Sequence, residues 1–230
     1  MTDLKVLYED EEILVCYKPA GVATQTKRIG QQDMQSIIRN YRARKKEEPY
    51  VGIVHRLDQP VEGVMVFGKN PKATAFLNKQ VQSRSIGKNY YAATVKSQNL
   101  SIMGEGTLTD YMTFNSRSNV GEIIHEPVKD FDKKNAKKAV LDYKIIAQTD
   151  TKLLFDINLH TGRHHQIRLQ LSNIGCPIIG DTKYGSNEVN AKRNGLSLCS
   201  YRICFVHPGT KKEMEFIVEP QNSELQNLLS

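Results

Sequence analysis

The sequence has no tryptophan and only four cysteines, Cys16, Cys176, Cys199 and Cys204, which lie far apart and form no CxxC pair. That spacing argues against a zinc site built on thiolates and against a secreted disulfide scaffold. No apolar stretch approaches the roughly 20 residues that a membrane-spanning helix needs. No internal repeat, low-complexity tract or long Gly/Ser linker interrupts the 230 residues. The opening Met1-Thr2-Asp3-Leu4-Lys5 is polar and runs straight into strand-like sequence, unlike a secretory signal. These absences predict a cytoplasmic, metal-free enzyme or binding protein, with no membrane contact. Hydrophobic residues at 39% and charged residues at 25% suit such a globular chain.

Acid is the charge in shorter supply. Lys and Arg number 32 against 25 Asp and Glu, a net charge of +7. Such an excess favours a polyanionic partner, because phosphate contacts release counterions. Basic residues gather in 39–46 and in 129–138, where five lysines stand against two aspartates. Each run reads equally well as a solvated face.

Periodicity predicts short strands at 4–8 and 13–17, separated by Glu9-Asp10-Glu11-Glu12 and stopped by Pro19 and Gly21. Met34, Ile37, Ile38 and Tyr41 fall at helical spacing, with cations at the C-terminal end that the helix dipole prefers. Strand 64–67 leads to Asn70-Pro71, a helix start whose core face is Ala73, Phe76, Leu77 and Val81. Strand-like sequence returns at 90–95. The weakest pattern, 97–138, predicts an excursion of short strands and loops. Leu153, Phe155, Ile157 and Leu159 then alternate as a strand. Ile167, Leu171 and Ile174 share a helical face closed by Gly175 and Pro177, and 198–206 with 213–218 reads as a terminal hairpin. The sum is an α+β fold, a single domain around a mixed, mainly antiparallel β-sheet with flanking helices.

Four segments carry residues suited to chemistry. His55-Arg56-Leu57-Asp58 precedes Gln59-Pro60 and Gly63 on a turn. An ionised Asp58 there can act as nucleophile or general base, or it can simply cap the turn. Thr161-Gly162-Arg163-His164-His165-Gln166-Ile167-Arg168 opens a helix, whose free N–H groups suit phosphate. Arg168 stands one helical turn past His164, placed to meet a carboxylate. A metal site on His160, His164 and His165 is disfavoured, since a strand-to-helix break separates the first from the others. Lys88-Asn89-Tyr90-Tyr91-Ala92 offers either sheet packing or a tyrosine stacked on a base with Lys88 on a phosphate. Gly180-Asp181-Thr182-Lys183-Tyr184-Gly185 reads first as a turn that needs its glycines.

HRLD, KNYYA, HTGRHHQIRLQL with GCPIIGDTKYG, and LCSYRICFVHP resemble, in this order, the signatures of RluA-type RNA pseudouridine synthases. EDEEILVCYKPAG resembles that family's N-terminal strand pair and turn. The likeness spans about residues 8–218. It implies the pseudouridine synthase fold and isomerisation of uridine within structured RNA, ribosomal or transfer, without cofactor or metal, by a monomer. By the same likeness Asp58 is the catalytic aspartate, acting at the anomeric carbon or on the neighbouring 2′ proton. Tyr90 packs on the target base, Arg168 pairs with the aspartate, and Arg56 fills the gap left by the flipped base. His55, Lys88, Arg163 and His165 fall in the same motifs, as substrate contacts.

After HRLD the sequence departs from the family, whose usual Arg, any residue, Thr, Ser, Gly is here Gln59-Pro60-Val61-Glu62-Gly63. Two hydroxyls are lost and a carboxylate is gained, so Glu62 is expected to turn away from RNA or pair with a cation. The departure leaves a second reading, a catalytically silent RNA-binding relative. A carboxylate-dependent hydrolase such as a glycosidase ranks last, because no second acid completes a tuned pair. The chain is expected to be the catalytic domain without a separate N-terminal RNA-binding domain, so RNA contact falls to the basic runs.

Overall fold

The structure, a computed structural model, describes residues 4–26, 28, 30–96, 103–124, 136–185 and 195–230. The chain packs as two compact units, residues 1–88 with 200–220, and 89–199 with 221–230. Each unit is discontinuous in sequence, so no single shift in composition marks the division.

In the first unit, β1 (Lys5–Glu9) and β2 (Ile13–Lys18) form a hairpin. Its acidic turn is ordered by Asp10, whose carboxylate accepts from the backbone N–H groups of Glu12 at 2.8 Å and Ile13 at 2.9 Å. β2 pairs antiparallel with β4 (Glu62–Gly68), Val15 opposite Val66. β4 neighbours β10 (Leu198–Val206), which pairs with β11 (Glu213–Ile217), and the short β3 (Gly52–Ile53) joins the far end of β4. β2 and β4 are buried along their whole length, which is why both read as unbroken apolar runs. Ile13, Val15, Val64, Val66 and Ile203 build the core with Leu77 of α2 (Pro71–Gln82). Asn70 starts that helix by accepting from Ala73 N at 2.8 Å, with Pro71 in the first turn. Gln80 also points inward, and its amide exchanges two 2.8 Å hydrogen bonds with the backbone of Val206.

α1 (Met34–Arg44) begins in a capping box between Asp33 and Ser36 and buries Met34, Ile37 and Ile38. Part of its basic end is engaged within the protein. Arg42 is buried against Glu47 and the carbonyls of Tyr50 and Lys69, and Lys45 pairs with Glu9 at 2.8 Å. Of the run 39–46, Arg39, Arg44 and Lys46 remain as exposed cations outside ion pairs among the described residues. The other run, 129–138, lies outside the described residues except for 136–138.

The second unit is an antiparallel sheet in the order β5-β9-β8-β6-β7. These strands are β5 (Gly87–Val95), β6 (Glu105–Asn115), β7 (Val120–Ile124), β8 (Lys137–Gln148) and β9 (Lys152–Leu159). The described residues of the expected excursion form the β6–β7 hairpin, paired from Tyr111–Ile124 to Asn115–Val120, and β6 also pairs with β8 from Glu105–Lys144 to Met112–Lys137. Its threonines and exposed faces hide the apolar period that flags a strand. Residues 97–102 and 125–135 lie outside the described set. Among the described residues the unit also contains two helices, α3 (Gln166–Asn173) and α4 (Ser223–Leu229). The sequence pattern missed α4, which has seven residues and buries only Leu225.

The α+β expectation holds. The β1–β2, β2–β4, β3–β4, β10–β11, β5–β9, β8–β9, β6–β8 and β6–β7 ladders are antiparallel, and a parallel bridge joins Ala23 to Asp33. Among the described residues no helix is long and apolar enough to cross a membrane. The four cysteines are free thiols, and Cys16, Cys176 and Cys199 are buried.

Gly63 sits in β4 at φ 132°, where a Cβ would lie 2.2 Å from the Ser200 carbonyl oxygen of β10. Both the backbone angle and the close approach require glycine. Gly63→Ala is therefore expected to lower unfolding free energy by about 2–4 kcal/mol, read as a fall in the urea midpoint at unchanged slope.

Candidate active site

The HRLD segment crosses the first unit between β3 and β4, and its backbone is gripped on both sides of Asp58. On the N-terminal side the buried Thr24 hydroxyl donates to Leu57 O at 2.9 Å and accepts from Leu57 N at 3.1 Å. On the C-terminal side the Gln59 carbonyl accepts from Gly21 N at 2.9 Å and from Lys18 Nζ at 3.2 Å. The Gln59 amide returns to Gly21 O at 3.0 Å. Asp58, half-buried, projects from a peptide whose neighbours are both fixed.

Lys18 ends β2 and is 0% exposed. Its ammonium donates to the carbonyls of Pro19 at 3.1 Å and Val22 at 2.5 Å as well as Gln59. Burial pushes its pKa down to about 7, against the opposing pull of the Asp58 and Glu62 carboxylates. Glu62 is itself buried. The departure from the family loop thus places its added carboxylate inside the protein, in the field of a buried cation, as one of the two expectations for Glu62 required.

His55 accepts from Val66 N through Nε2 at 3.2 Å, so Nδ1 carries the proton. Nδ1 is buried without a hydrogen-bond partner. Burial first, and the charge of Lys88 second, push the pKa of His55 down to about 3, so the ring is neutral. It braces the loop against β4. Lys88 is half-buried and its pKa is lowered by desolvation. Arg56 is exposed, with Gln25 Oε1 at the edge of hydrogen-bond range at 3.5 Å.

In the second unit, Tyr90 is buried on β5 opposite Ile157 of β9. Arg168 is buried in α3 and forms a two-pronged ion pair with Asp181, Nε to Oδ2 at 2.8 Å and Nη2 to Oδ1 at 2.7 Å. Burial alone raises the Asp181 pKa. The Arg168 fork and the backbone N–H groups of Lys183 and Tyr184 outweigh it and hold the carboxyl below its usual range. Asp181 is the residue that motif reading missed, since it counted only as part of a turn. The available signal was a buried helix arginine, which requires a buried acid.

His165 heads α3 in the left-handed region at φ 55°. Gly121 N donates to the Tyr184 hydroxyl at 2.8 Å, and that hydroxyl shares a 2.8 Å hydrogen bond with His165 Nδ1. Burial, then Arg168, His164 and Lys183, push the pKa of His165 down to about 3. Arg163 is half-buried and donates to Lys138 O at 2.9 Å. His160, His164 and His165 have separate partners in Asp142, Asn119 and Tyr184.

The fold has solved counterparts. A structure titled human RNA pseudouridylate synthase domain containing 4 superposes with a TM-score of 0.75 at 19% identity, over 94% of this chain and 89% of that one. The family model for RNA pseudouridylate synthase matches residues 12–173, and the chain belongs to that family. An uncharacterized RNA pseudouridine synthase of Mycoplasma genitalium is 32% identical over 213 residues, 93% of this chain and 65% of the relative. The ribosomal large subunit pseudouridine synthase C of Rickettsia conorii is 30% identical over 204 residues, 86% of this chain and 62% of the relative. The chain thus spans a little under two thirds of the length of these curated relatives.

Two measurements follow from the buried charges. Asp181→Ala removes the carboxylate that the Arg168 fork grips and is expected to cost about 3–5 kcal/mol at neutral pH. That contribution is complete above the ordinary carboxyl pKa of 3.8 and is lost as pH falls through the lower folded value. Lys18 has the same sense in a higher window, because the unfolded chain binds its proton more tightly between about pH 7 and 10.5. Wild-type stability therefore gains from this group as pH rises across that window. Lys18→Met, followed by urea unfolding at several pH values, should lack the gain.

Proposed function

We propose that this chain isomerises uridine to pseudouridine in structured RNA through the Asp58 carboxylate, without cofactor or metal. The observation that carries the reading is the fixed loop. Thr24 holds the residue before Asp58, and Lys18 with Gly21 holds the residue after it. Preorganisation of this kind is what a carboxylate needs to meet a ribose in a defined geometry. The family match at 12–173 runs through both compact units, which supports reading them as one catalytic domain.

The roles follow from what the reaction demands. The target uridine must leave its stack, at a cost of a few kcal/mol. Tyr90 offsets this by stacking on the base, worth about 1–3 kcal/mol, and Arg56 occupies the vacancy. Asp58 engages the sugar, at the anomeric carbon or through the 2′ proton, and the bond from that carbon to N1 breaks. The uracil turns over, its C5 bonds to the anomeric carbon, the C5 proton departs and N1 gains a proton. Arg168 is the partner that the family likeness assigns to Asp58, and Asp181 fixes Arg168 in turn. His55, Lys88, Arg163 and His165 complete the substrate side. The enzyme works as a monomer in the cytoplasm. Ribosomal RNA is the first substrate to try, because relatives such as the one from Rickettsia conorii are named for the large ribosomal subunit.

The test is tritium release from RNA labelled at uridine C5, with unmodified ribosomal and transfer RNA pools kept separate. Wild type is expected to release tritium and Asp58→Asn to release none. RNA binding with no release by wild type from either pool would overturn the assignment.

A further inference from the structure

The tip of the β6–β7 hairpin carries an aromatic feature that the reaction above does not use. Phe114, near the end of β6, is 44% exposed, unusual for a phenylalanine that is already in ring contact. Its centroid lies 4.2 Å from that of the exposed His164, whose ring in turn lies 3.9 Å from His165. A lone exposed apolar side chain needs no explanation. Here the ring belongs to a row of three, and the row is fixed in place.

The fixing contacts all lie within the second unit. Asn119 at the hairpin turn meets His164 Nε2 through its side-chain oxygen at 3.0 Å, and its carbonyl accepts from Lys183 Nζ at 2.7 Å. Gly121 N donates to the Tyr184 hydroxyl that holds His165. The hairpin is therefore tied to the segment opening α3 and to the turn after Asp181, and the open side of Phe114 is presented to solvent on an ordered support.

The surroundings are cationic. Arg117 is exposed at the tip. Arg163 donates to a neutral carbonyl, which leaves its charge in place. Lys183 is exposed beside Asn119. Residues 111–121, 160–166 and 182–185 contain no Asp or Glu, while Asn115, Ser116 and Ser118 add hydrogen-bonding groups. Exposed rings flanked by cations suit the flat faces and phosphates of an unpaired nucleic-acid strand. An apolar protein partner would favour a less charged surround.

We propose that Phe114 and His164 form a stacking platform for an unpaired base of the substrate RNA outside the target uridine, with Arg117, Arg163 and Lys183 on adjacent phosphates. The proposal rests on RNA being the substrate and deepens that reading by naming the strand feature recognised, a single-stranded segment beside the target.

The absence of native tryptophan makes the test direct. Phe114→Trp places the chain's one indole on the platform. Its fluorescence should be quenched by a single-stranded 12-nucleotide RNA and hardly changed by the same RNA annealed into a duplex, at equal nucleotide concentration. Phe114→Ala should bind the single strand about tenfold more weakly. It should raise KM for RNA with kcat preserved, and Phe114→Tyr should restore wild-type affinity. Equal quenching by single strand and duplex, or unchanged affinity in Phe114→Ala, overturns the platform. Tritium release is independent of these readouts. If wild type releases no tritium but the quench and affinity loss are seen, the platform stands and the isomerase reading falls. If wild type is active and Phe114→Ala matches it in KM, the platform falls alone. No binding of either RNA by wild type defeats both.

Discussion

The ammonium of Lys18 is fully enclosed, and its hydrogen bonds run to three backbone carbonyls instead of to water. Burying a cation is costly, and the cost is tolerable here because each carbonyl dipole is aimed at it and two carboxylates lie within its field. The return is geometric. Pro19 and Val22 belong to the turn that leaves β2, whereas Gln59 belongs to the loop entering β4, so one side chain sets the spacing between segments about 40 residues apart. Thr24 does the same for Leu57. With both neighbours tied, the Asp58 backbone has little freedom of its own.

The second unit solves a similar problem with a different pair. Arg168 points into the protein from α3, and its planar fork matches the two oxygens of Asp181. Asp181 in turn accepts from the peptides of Lys183 and Tyr184. Orientation of the helix and conformation of the following turn thus become one property. Gly180, at φ 80° and with no room for a Cβ beside Gly195, lets the chain enter that turn. Buried ion pairs contribute modestly to stability on balance, and their firmer contribution is to exclude alternative arrangements.

Much of this was legible in the residues. Apolar runs located β2 and β4, the Asn70-Pro71 start located α2, and the ordered motifs gave the family. What escaped has identifiable causes. The β6–β7 hairpin shows polar residues on both faces, so no apolar period announces it. α4 is too short for a period to develop. Asp181 looked like a turn residue because its partner is 13 positions away, beyond any local spacing rule. The charges in 39–46 looked like one basic surface, and only folding shows that Arg42 and Lys45 are turned onto Glu47 and Glu9. Sequence records the sign of a charge, whereas its availability depends on tertiary neighbours.

The thiols give the fold a built-in gauge of its own opening. Cys16 and Cys199 are wholly enclosed, and burial raises the pKa of Cys16 far above its usual range and that of Cys176 to about 11. Alkylating and oxidising reagents attack the thiolate, a form these side chains scarcely populate while the chain is packed. Cys16 lies mid-strand in β2, two residues before Lys18, so the event that uncovers it is loss of the strand that carries the buried ammonium. Labelling of that sulfur therefore counts excursions out of the arrangement that holds Asp58 in place, one molecule at a time, with no substrate present.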